Sequence, residues 1–257
     1  HCNASRLYCA PPVNPPYFPM SDRPASTVPS ARDAVYAEQR EHIEAFRFDA
    51  AVADVFADMI ARSVPGYALT LQMIAVVARR FARSGTHCYD LGCSLGASTL
   101  AIRHHVPHDC VVTGIDNSPQ MVERARAIVA ADRAAPAIEI RCEDVCAAAL
   151  NDASLVTLNF TLQFVPPPAR PPLLARIATA LHPGGCLMLS EKIAFDDPAE
   201  QELLGALHHD FKQLQGYSTL EIAQKRAALE NVLIPETLAA HRERLLGAGF
   251  RRVTPWL

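Results

Sequence analysis

The amino-acid sequence predicts an α/β fold in which helices cover both faces of a doubly wound, mostly parallel sheet. From about residue 46, short apolar runs alternate with longer stretches of helical periodicity, a pattern typical of parallel sheets. A glycine turn follows the first apolar run, and polar residues follow the next three. The 257 residues suit one large domain. A formal net charge of −3 does not indicate a nucleic-acid partner.

The individual elements follow from the local pattern in chain order. The predicted helices cover residues 52–60, 69–81, 97–104, 119–131 and 173–181. The predicted strands cover residues 87–91, 110–115, 138–142, 155–159 and 186–190. Right-handed crossovers between consecutive strands should make neighbouring strands parallel. Residues 197–231 interrupt this alternation with a long polar helical stretch, which predicts a helical cap inserted into the domain.

The N-terminal segment differs from the domain predicted over residues 46–257. Residues 1–45 are rich in proline, with seven of them between Pro11 and Pro29. Proline interrupts helices and removes strand hydrogen bonds, so we expect a disordered segment, apart from a short helix over residues 31–45.

Neither a membrane segment nor a metal site is predicted. No apolar run reaches the ~20 residues that span a bilayer, and the first 20 residues lack the basic and apolar regions of a secretory signal. We therefore expect a cytoplasmic protein with no membrane partner. The eight cysteines include no C-x-x-C pair, and the adjacent histidine pairs lack metal-ligand spacing. We expect reduced cysteines and no metal.

Residues 89–98, Y-D-L-G-C-S-L-G-A-S, form the clearest local motif. A strand, a glycine turn and a helix start succeed one another where nucleotide-like ligands bind in such sheets. Gly92 has no Cβ, so the backbone can approach a ligand closely. Ser94 and Ala97 occupy two glycine positions of the dinucleotide fingerprint, which argues against that class. A purely structural glycine turn is the alternative.

Polar side chains end the next three strands. Asp116 ends the second strand, where a carboxylate can accept hydrogen bonds from ribose hydroxyls. Asp144 ends the third strand, where an acid can meet an adenine amino group, and Asn159 ends the fourth, beside the reacting end of a ligand. Residues 181–185, L-H-P-G-G, precede the fifth strand. Together these positions predict a nucleotide-type ligand site rather than unrelated turns.

This set of motifs resembles the class I S-adenosylmethionine-dependent methyltransferases, which have a Rossmann-like fold. Their D-x-G-x-G-x-G motif corresponds to residues 90–96, their acid after the second strand to Asp116, and their L-x-P-G-G to residues 181–185. The fourth strand lacks the N-P-P-Y of the adenine and glutamine amide methylases, which argues against that branch.

A narrower resemblance, from about residue 46 to residue 256, is to the bacterial carboxy-S-adenosyl-L-methionine synthases. Several of the matching strings are not shared by general methyltransferases. The full set of matching strings is residues 48–49, 55–56, 58–60, 62–67, 89–96, 115–119, 158–164, 189–192, 208–212, 216–218 and 224–226.

The resemblance implies that prephenate donates carbon dioxide to the methyl carbon of S-adenosylmethionine, leaving phenylpyruvate. Carboxy-S-adenosyl-L-methionine then passes to a separate transferase that makes 5-carboxymethoxyuridine at the tRNA wobble position. Such an enzyme needs no direct contact with nucleic acid. Family members are homodimers, so we expect a homodimer here.

The resemblance also implies a set of ligand contacts. Arg226 would bind the added carboxylate bidentately, and Tyr67 would close the opposite side of the pocket; these two are the catalytic candidates. Lys225 is expected on a solvated helix face. The implied contacts are Tyr67, Gly92, Cys93, Ser94, Asp116, Asn117, Asp144, Val145, Asn159 and Arg226.

The sequence departs from the family at its C-terminal end. Residues 250–257 can supply a sixth strand, and the antiparallel seventh strand of the family is expected to be absent. The fifth strand would then keep an unpaired edge and the fold would lose stability. Two alternative functions stay open: a conventional S-adenosylmethionine-dependent small-molecule methyltransferase, and a non-catalytic relative that only binds the ligand.

Overall fold

A computed structural model describes residues 31–256 of the chain. The helices in this part are α1 (Ala50–Ser63), α2 (Tyr67–Phe81), α3 (Ala97–Arg103), α4 (Pro119–Ala131), α5 (Arg170–Ala180), α6 (Pro198–Leu214), α7 (Thr219–Leu229) and α8 (Leu238–Gly247). The strands are β1 (His87–Leu91), β2 (Val111–Asp116), β3 (Ile138–Cys142), β4 (Ala153–Asn159), β5 (Leu181–Ser190), β6 (Ile193–Ala194) and β7 (Glu236–Thr237).

The central sheet has the order β3-β2-β1-β4-β5, and all of its neighbouring strands are parallel. This confirms the predicted doubly wound α/β fold. The strand order reverses at β1 and β4, where a crevice forms at the carboxyl ends of the strands. In β4 all residues but the last are buried, because helices cover both faces of the sheet. The core therefore places the strand ends, and not the strand faces, at the surface of the cavity.

The predicted sixth strand is wrong. Residues 250–256 contain no strand, and β5 forms the edge of the sheet within the described part of the chain. No described strand lies beside these residues to form a ladder of hydrogen bonds with them. Phe250 and Val253 instead pack against the core cluster that contains Leu245.

Residues 31–49, which we call the strap, have no helix, and their side chains pack on the domain. Asp33, Tyr36 and Phe46 are 2%, 6% and 7% exposed, and the Phe46 N–H donates to the Ala228 carbonyl in α7. The expected disorder and the short helix are therefore wrong for residues 31–45. Residues 1–30 lie outside the described part, where the expectation of disorder stays a prediction.

The predicted cap consists of α6 and α7. Asp197 caps α6 by accepting a hydrogen bond from the Ala199 N–H. Ser218 and Glu221 form a reciprocal capping box at the start of α7, which satisfies two N–H groups that a helix start leaves unpaired. Both helices line the opening above the carboxyl ends of the strands.

Length and hydropathy of the helices bear on a membrane location. Within residues 31–256 no single helix is both long and apolar enough to cross a membrane, whereas the α1–α2 pair, bent by 95°, satisfies those two criteria together.

Candidate functional site

One cavity of about 3010 Å³ opens at the carboxyl ends of the strands. Small-molecule sites usually measure roughly 300–1,000 Å³, so this volume exceeds a single ligand. Residues 181–189 and 249–256 line the same opening, which shows that the cleft continues along β5. The lining includes all ten predicted contact residues, namely Tyr67, Gly92, Cys93, Ser94, Asp116, Asn117, Asp144, Val145, Asn159 and Arg226.

Backbone hydrogen bonds hold the turn after β1. The N–H groups of Gly92 and Cys93 both donate to the carbonyl oxygen of Ile115, at 2.7 and 3.0 Å. Gly92 and Ser94 have φ of +76° and +48°, a left-handed conformation that most residues avoid. The end of β2 thus fixes the turn at the wall of the cavity.

Gly92 is required for the packing of two loops. A Cβ at this position would lie 2.3 Å from Oγ1 and 2.4 Å from Cγ2 of Thr161, so its direction is toward the loop after β4. The glycine therefore allows the β1 turn and the β4 loop to pack together.

Asp90 lies in β1, two residues before Gly92, and supports this turn without lining the cavity. Its buried carboxylate accepts hydrogen bonds from the hydroxyls of Thr99 and Thr157, at 2.6 and 2.7 Å. Burial raises the pKa of Asp90 to about 6, against the effect of both hydroxyls. Asp90 thereby links β1 to α3 and β4.

Asp116 lines the cavity with its carboxylate held by two backbone groups. The N–H groups of Ser94 and Ser118 donate to Oδ2 and Oδ1, each at 2.9 Å. Burial raises the pKa of Asp116. Each carboxylate oxygen can accept a further hydrogen bond, so the arrangement fits a ligand with two hydroxyls.

The remaining strand ends differ in exposure. Asn117 and Asp144 are exposed, whereas Val145 is buried. Oδ1 of Asp144 accepts the N–H of Cys146 at 2.7 Å, which leaves its second oxygen for a ligand. An apolar side chain beside a carboxylate suits a heteroaromatic ring with an amino group.

Asn159 presents a polar atom with unused capacity. Its Nδ2 donates to the hydroxyl of Ser98 at 3.0 Å, while its buried Oδ1 has no hydrogen-bond partner within residues 31–256. Burying a carbonyl oxygen without a partner is unfavourable, so Oδ1 fits a ligand donor. We call residues 92–94, 116–117, 144–145 and 159 the strand-end region.

Tyr67 begins α2 on the other side of the cavity. Burial, and then the charge of Asp90, raise the pKa of its phenol above the ordinary value. The hydroxyl therefore stays protonated at neutral pH and can donate to a ligand.

Arg226 and Lys225 are neighbours on α7 with opposite environments. Arg226 is exposed to the cavity and forms no ion pair within the described residues. Lys225 is only 8% exposed; its Nζ lies 3.1 Å from the Ser63 hydroxyl and 3.6 Å from Oδ2 of Asp33. The expectation that Lys225 lies on a solvated helix face is wrong, because α7 packs that side against the strap and α1.

Sequence reasoning missed further cations of the cavity lining, among them Lys192 and Lys212. Neither forms an ion pair in the part of the chain that the structure describes. We call Lys192, Lys212 and Arg226 the cationic region. A signal was present in the sequence: Lys192, Lys212 and Lys225 are the only lysines of the chain, and its other 21 basic residues are arginines.

The lysines influence one another strongly. Burial, followed by the charges of Lys225, Lys192 and Arg226, lowers the pKa of Lys212 to about 8. Burial and then Arg226 lower the pKa of Lys192. His208, whose Nε2 lies 2.9 Å from the Ser63 carbonyl oxygen, also has a lowered pKa, first because of burial and then because of Lys212. Unpaired cations that repel one another form a site for an anionic ligand.

A metal ion needs several ligating side chains close together. Residues 31–256 contain no group of three or more His, Cys, Asp or Glu side chains placed to hold an ion.

Comparisons with known proteins agree on one family. Residues 88–185 match a family described as a methyltransferase domain. The carboxy-S-adenosyl-L-methionine synthase of Marinobacter nauticus is 56% identical over 225 residues, 87% of this chain and 90% of the relative. That of Hahella chejuensis is 52% identical over 232 residues, 88% of this chain and 94% of the relative.

Solved structures share the fold at lower identity. A putative O-methyltransferase from Nostoc punctiforme has a TM-score of 0.56 at 19% identity, covering 79% of this chain and 54% of that one. The YcgJ protein from Bacillus subtilis has a TM-score of 0.54 at 16% identity, with 71% and 68% covered. These similarities support the class I methyltransferase fold.

Proposed function

This chain belongs to the carboxy-S-adenosyl-L-methionine synthase family, and we propose that it converts S-adenosyl-L-methionine and prephenate into carboxy-S-adenosyl-L-methionine and phenylpyruvate. The atoms balance within the two substrates. Prephenate loses its ring carboxylate as carbon dioxide and its hydroxyl group as water, with the proton coming from the S-methyl group. The new carbon–carbon bond joins carbon dioxide to the former methyl carbon.

The cationic region is the observation that carries this proposal. Carboxylation adds an anion to the ligand, and prephenate brings two carboxylates of its own. Arg226 offers a planar guanidinium for the new carboxylate. Lys192 and Lys212, lining the same cavity without carboxylate partners among residues 31–256, are available to the donor. Methyl transfer to a neutral acceptor needs none of these charges.

The strand-end region fits the adenosyl and methionyl parts of the ligand. Asp116 has free lone pairs for the ribose hydroxyls, and Asp144 beside Val145 suits the adenine amino group. Oδ1 of Asn159 can accept a hydrogen bond from the methionyl ammonium group. The φ of +48° at Ser94 and the fixed amides of Gly92 and Cys93 shape the wall beside the ligand.

The two catalytic candidates act by binding. Tyr67 is half-buried and keeps a protonated hydroxyl, which can donate to the ligand, while the ring helps to exclude water. Water exclusion matters because carbon dioxide must react before it escapes. Arg226 stabilises the carboxylate that forms during the reaction.

The two alternative functions make different demands on the site. A conventional methyltransferase would transfer the methyl group to a separate acceptor, and a non-catalytic binder would bind the ligand without turnover. Neither explains why Lys192, Lys212 and Arg226 line the cavity without carboxylate partners among residues 31–256.

Downstream, the product would pass to a separate transferase that modifies the wobble uridine of tRNA to 5-carboxymethoxyuridine. The net charge of −3 supports a protein with no direct contact with tRNA. A cytoplasmic location is supported by the proposed use of prephenate, a metabolite, and by the proposed use of the product in tRNA modification.

A homodimer is supported by the surface of α6. Leu203, Leu207 and Leu214 are 59%, 53% and 83% exposed, and their spacing places them on one helix face. An exposed apolar stripe of this kind often forms an interface. Light scattering should then give a mass near twice 28.0 kDa.

The reaction is tested with prephenate labelled with ¹³C in its ring carboxylate. The purified chain is incubated with S-adenosylmethionine and this donor, and the products are identified by mass spectrometry. Labelled carboxy-S-adenosyl-L-methionine and phenylpyruvate are expected. Unchanged S-adenosylmethionine would contradict the proposal, and S-adenosylhomocysteine formed with an added acceptor would establish the conventional methyltransferase instead.

A further inference from the structure

Three consecutive side chains of α7 have three different surroundings. The side chain of Gln224 is 4% exposed and faces the strap; its Oε1 accepts the Arg40 N–H at 2.8 Å. Its Nε2 donates to the carbonyls of Tyr36 and Glu38 at 2.9 and 2.8 Å. Lys225 faces the strap and α1, while Arg226 lines the cavity. The strap therefore contacts the same helical turn that presents Arg226.

Asp33 is the charged residue of this contact. Its carboxylate is 2% exposed, and Oδ2 accepts the hydroxyl hydrogen of Tyr217 at 2.5 Å. The same oxygen lies 3.6 Å from Nζ of Lys225. A carboxylate this deeply buried requires partners of opposite charge and hydrogen-bond donors. Lys225 and Tyr217, from the cap, supply both.

The backbone of Asp33 is held independently from α1. Its N–H donates to Oδ2 of Asp58 at 2.7 Å, and its carbonyl accepts from Nη1 of Arg62 at 3.3 Å. The Arg62 guanidinium also lies 3.9 Å from the centre of the Tyr217 ring. Asp33 thus occupies a fixed position between α1 and the cap, and its side chain determines where Lys225 can lie.

We propose that Asp33 is a positioning residue for carboxylate recognition: through Lys225 and Tyr217 it fixes the turn of α7 that presents Arg226. This inference rests on the proposed function, in which Arg226 binds the carboxylate added to the ligand. Its consequence is a preference for carboxy-S-adenosyl-L-methionine over S-adenosylmethionine that depends on a residue outside the cavity lining. Asp33 needs no contact with the ligand.

A purely electrostatic role would have the opposite sign. The Asp33 carboxylate repels an anionic ligand, so removing its charge would by itself strengthen binding of the carboxylated ligand. If Asp33 positions Arg226, the same change weakens that binding because the guanidinium loses its fixed place. A merely structural role would alter the affinities for both ligands equally.

The test is isothermal titration calorimetry with S-adenosylmethionine and carboxy-S-adenosyl-L-methionine as the two probes. Asp33→Asn keeps the shape and removes the charge. We define the preference as the dissociation constant for S-adenosylmethionine divided by that for carboxy-S-adenosyl-L-methionine. We expect this ratio to fall about tenfold, a size typical of coupled contacting groups. The affinity for S-adenosylmethionine should stay within about twofold of the original. In a Lys225→Met background, Asp33→Asn should lower the ratio further by no more than about threefold, because only the contact with Tyr217 is then left to lose.

Controls separate the possible outcomes. Asp54→Asn changes an exposed aspartate that pairs with Arg124 outside the cavity and should leave the ratio unchanged. If Asp33→Asn does not fold, Tyr217→Phe, which removes one hydrogen bond, carries the test and should lower the ratio about threefold. A ratio that rises or stays constant overturns the inference. Arg226→Leu must abolish the preference; if it does not, the proposed carboxylate role of Arg226 fails, whatever Asp33 does.

Discussion

The strand-end region and the cationic region line one cavity but are built by different means. The strand-end region uses residues that directly follow the strands of one sheet, and backbone hydrogen bonds fix its turn. The cationic region combines the loop after β5 with α6 and α7, with support from the strap about 190 residues away in sequence, as in the contact of Tyr36 with Gln224. Local backbone geometry creates the first region, and long-range packing creates the second.

This difference has a physical consequence. Turns after parallel strands meet at one edge whatever their side chains are, so the strand-end region needs few specific contacts to form. Cations that repel one another must be held in place by the surrounding structure. We therefore expect substitutions to damage the first region mainly through sterics and the second mainly through charge.

The largest effect is expected at Gly92. Gly92→Ala places a Cβ against Thr161 and requires a left-handed backbone, and overpacking with this strain should lower the free energy of unfolding by about 3–4 kcal/mol. Urea denaturation measures the loss. Gly205→Ala is the matched control, because no atom lies within 4 Å of its added Cβ and helix propensity should raise stability by about 0.5–1 kcal/mol.

Asp90, which supports the turn of the strand-end region, should make the fold less stable as the pH rises. Its folded-state pKa of about 6 exceeds the model-peptide value of 3.8, so its stabilising contribution is complete below pH 3.8 and is lost as the pH rises through about 6. The loss amounts to about 3 kcal/mol at most.

Unfolding of the original chain and of Asp90→Asn between pH 3.5 and 7 checks this difference. The stability of the original chain relative to the variant should fall with rising pH. Asp109→Asn gives a control of opposite sign, because the Ser84 hydroxyl lowers the pKa of Asp109. A constant difference across this range for Asp90→Asn would contradict the prediction.

Lys212 should show the opposite dependence in the cationic region. Its folded-state pKa of about 8 lies below 10.5, so the buried ammonium destabilises the fold at neutral pH and stops doing so as the pH rises from 8 to 10.5. Lys212→Met should raise the free energy of unfolding at pH 7 by roughly 2 kcal/mol and weaken prephenate binding. Chemical denaturation at pH 7 and pH 10 measures the first effect. Equal free energies of unfolding for the original chain and Lys212→Met at pH 7 would contradict the prediction.

The smallest effect is expected at the start of α7. Ser218→Ala removes the side chain that accepts the Glu221 N–H, and losing such a cap costs about 1 kcal/mol. Glu221→Gln keeps a side-chain acceptor for the Ser218 N–H and should change stability by less than about 0.3 kcal/mol. Thermal melts of both variants, run at one pH, distinguish loss of the cap from a change in charge.

The sequence was a good guide to the strand-end region and a poor guide to the cap. Residues 87–91 and 119–131 were predicted with the bounds that the structure has, because strand and helix periodicity are local signals. The burial of Lys225 cannot be predicted from its own helix, because its partner, Asp33, lies in a segment whose composition indicates disorder. The sixth strand was predicted from its own residues, although a strand depends on a neighbour to pair with.

The restriction of lysine to three positions has a practical consequence. All three lysines contribute to the lining of this one cavity, although Nζ of Lys225 is held by Ser63 and Asp33, whereas the arginines do not react with acylating reagents. An amine-directed label used near pH 8, where Lys212 is partly deprotonated, should therefore modify a side chain that lines the cavity. Protection of that amine by an anionic ligand would report occupancy directly, residue by residue, in a peptide mass map.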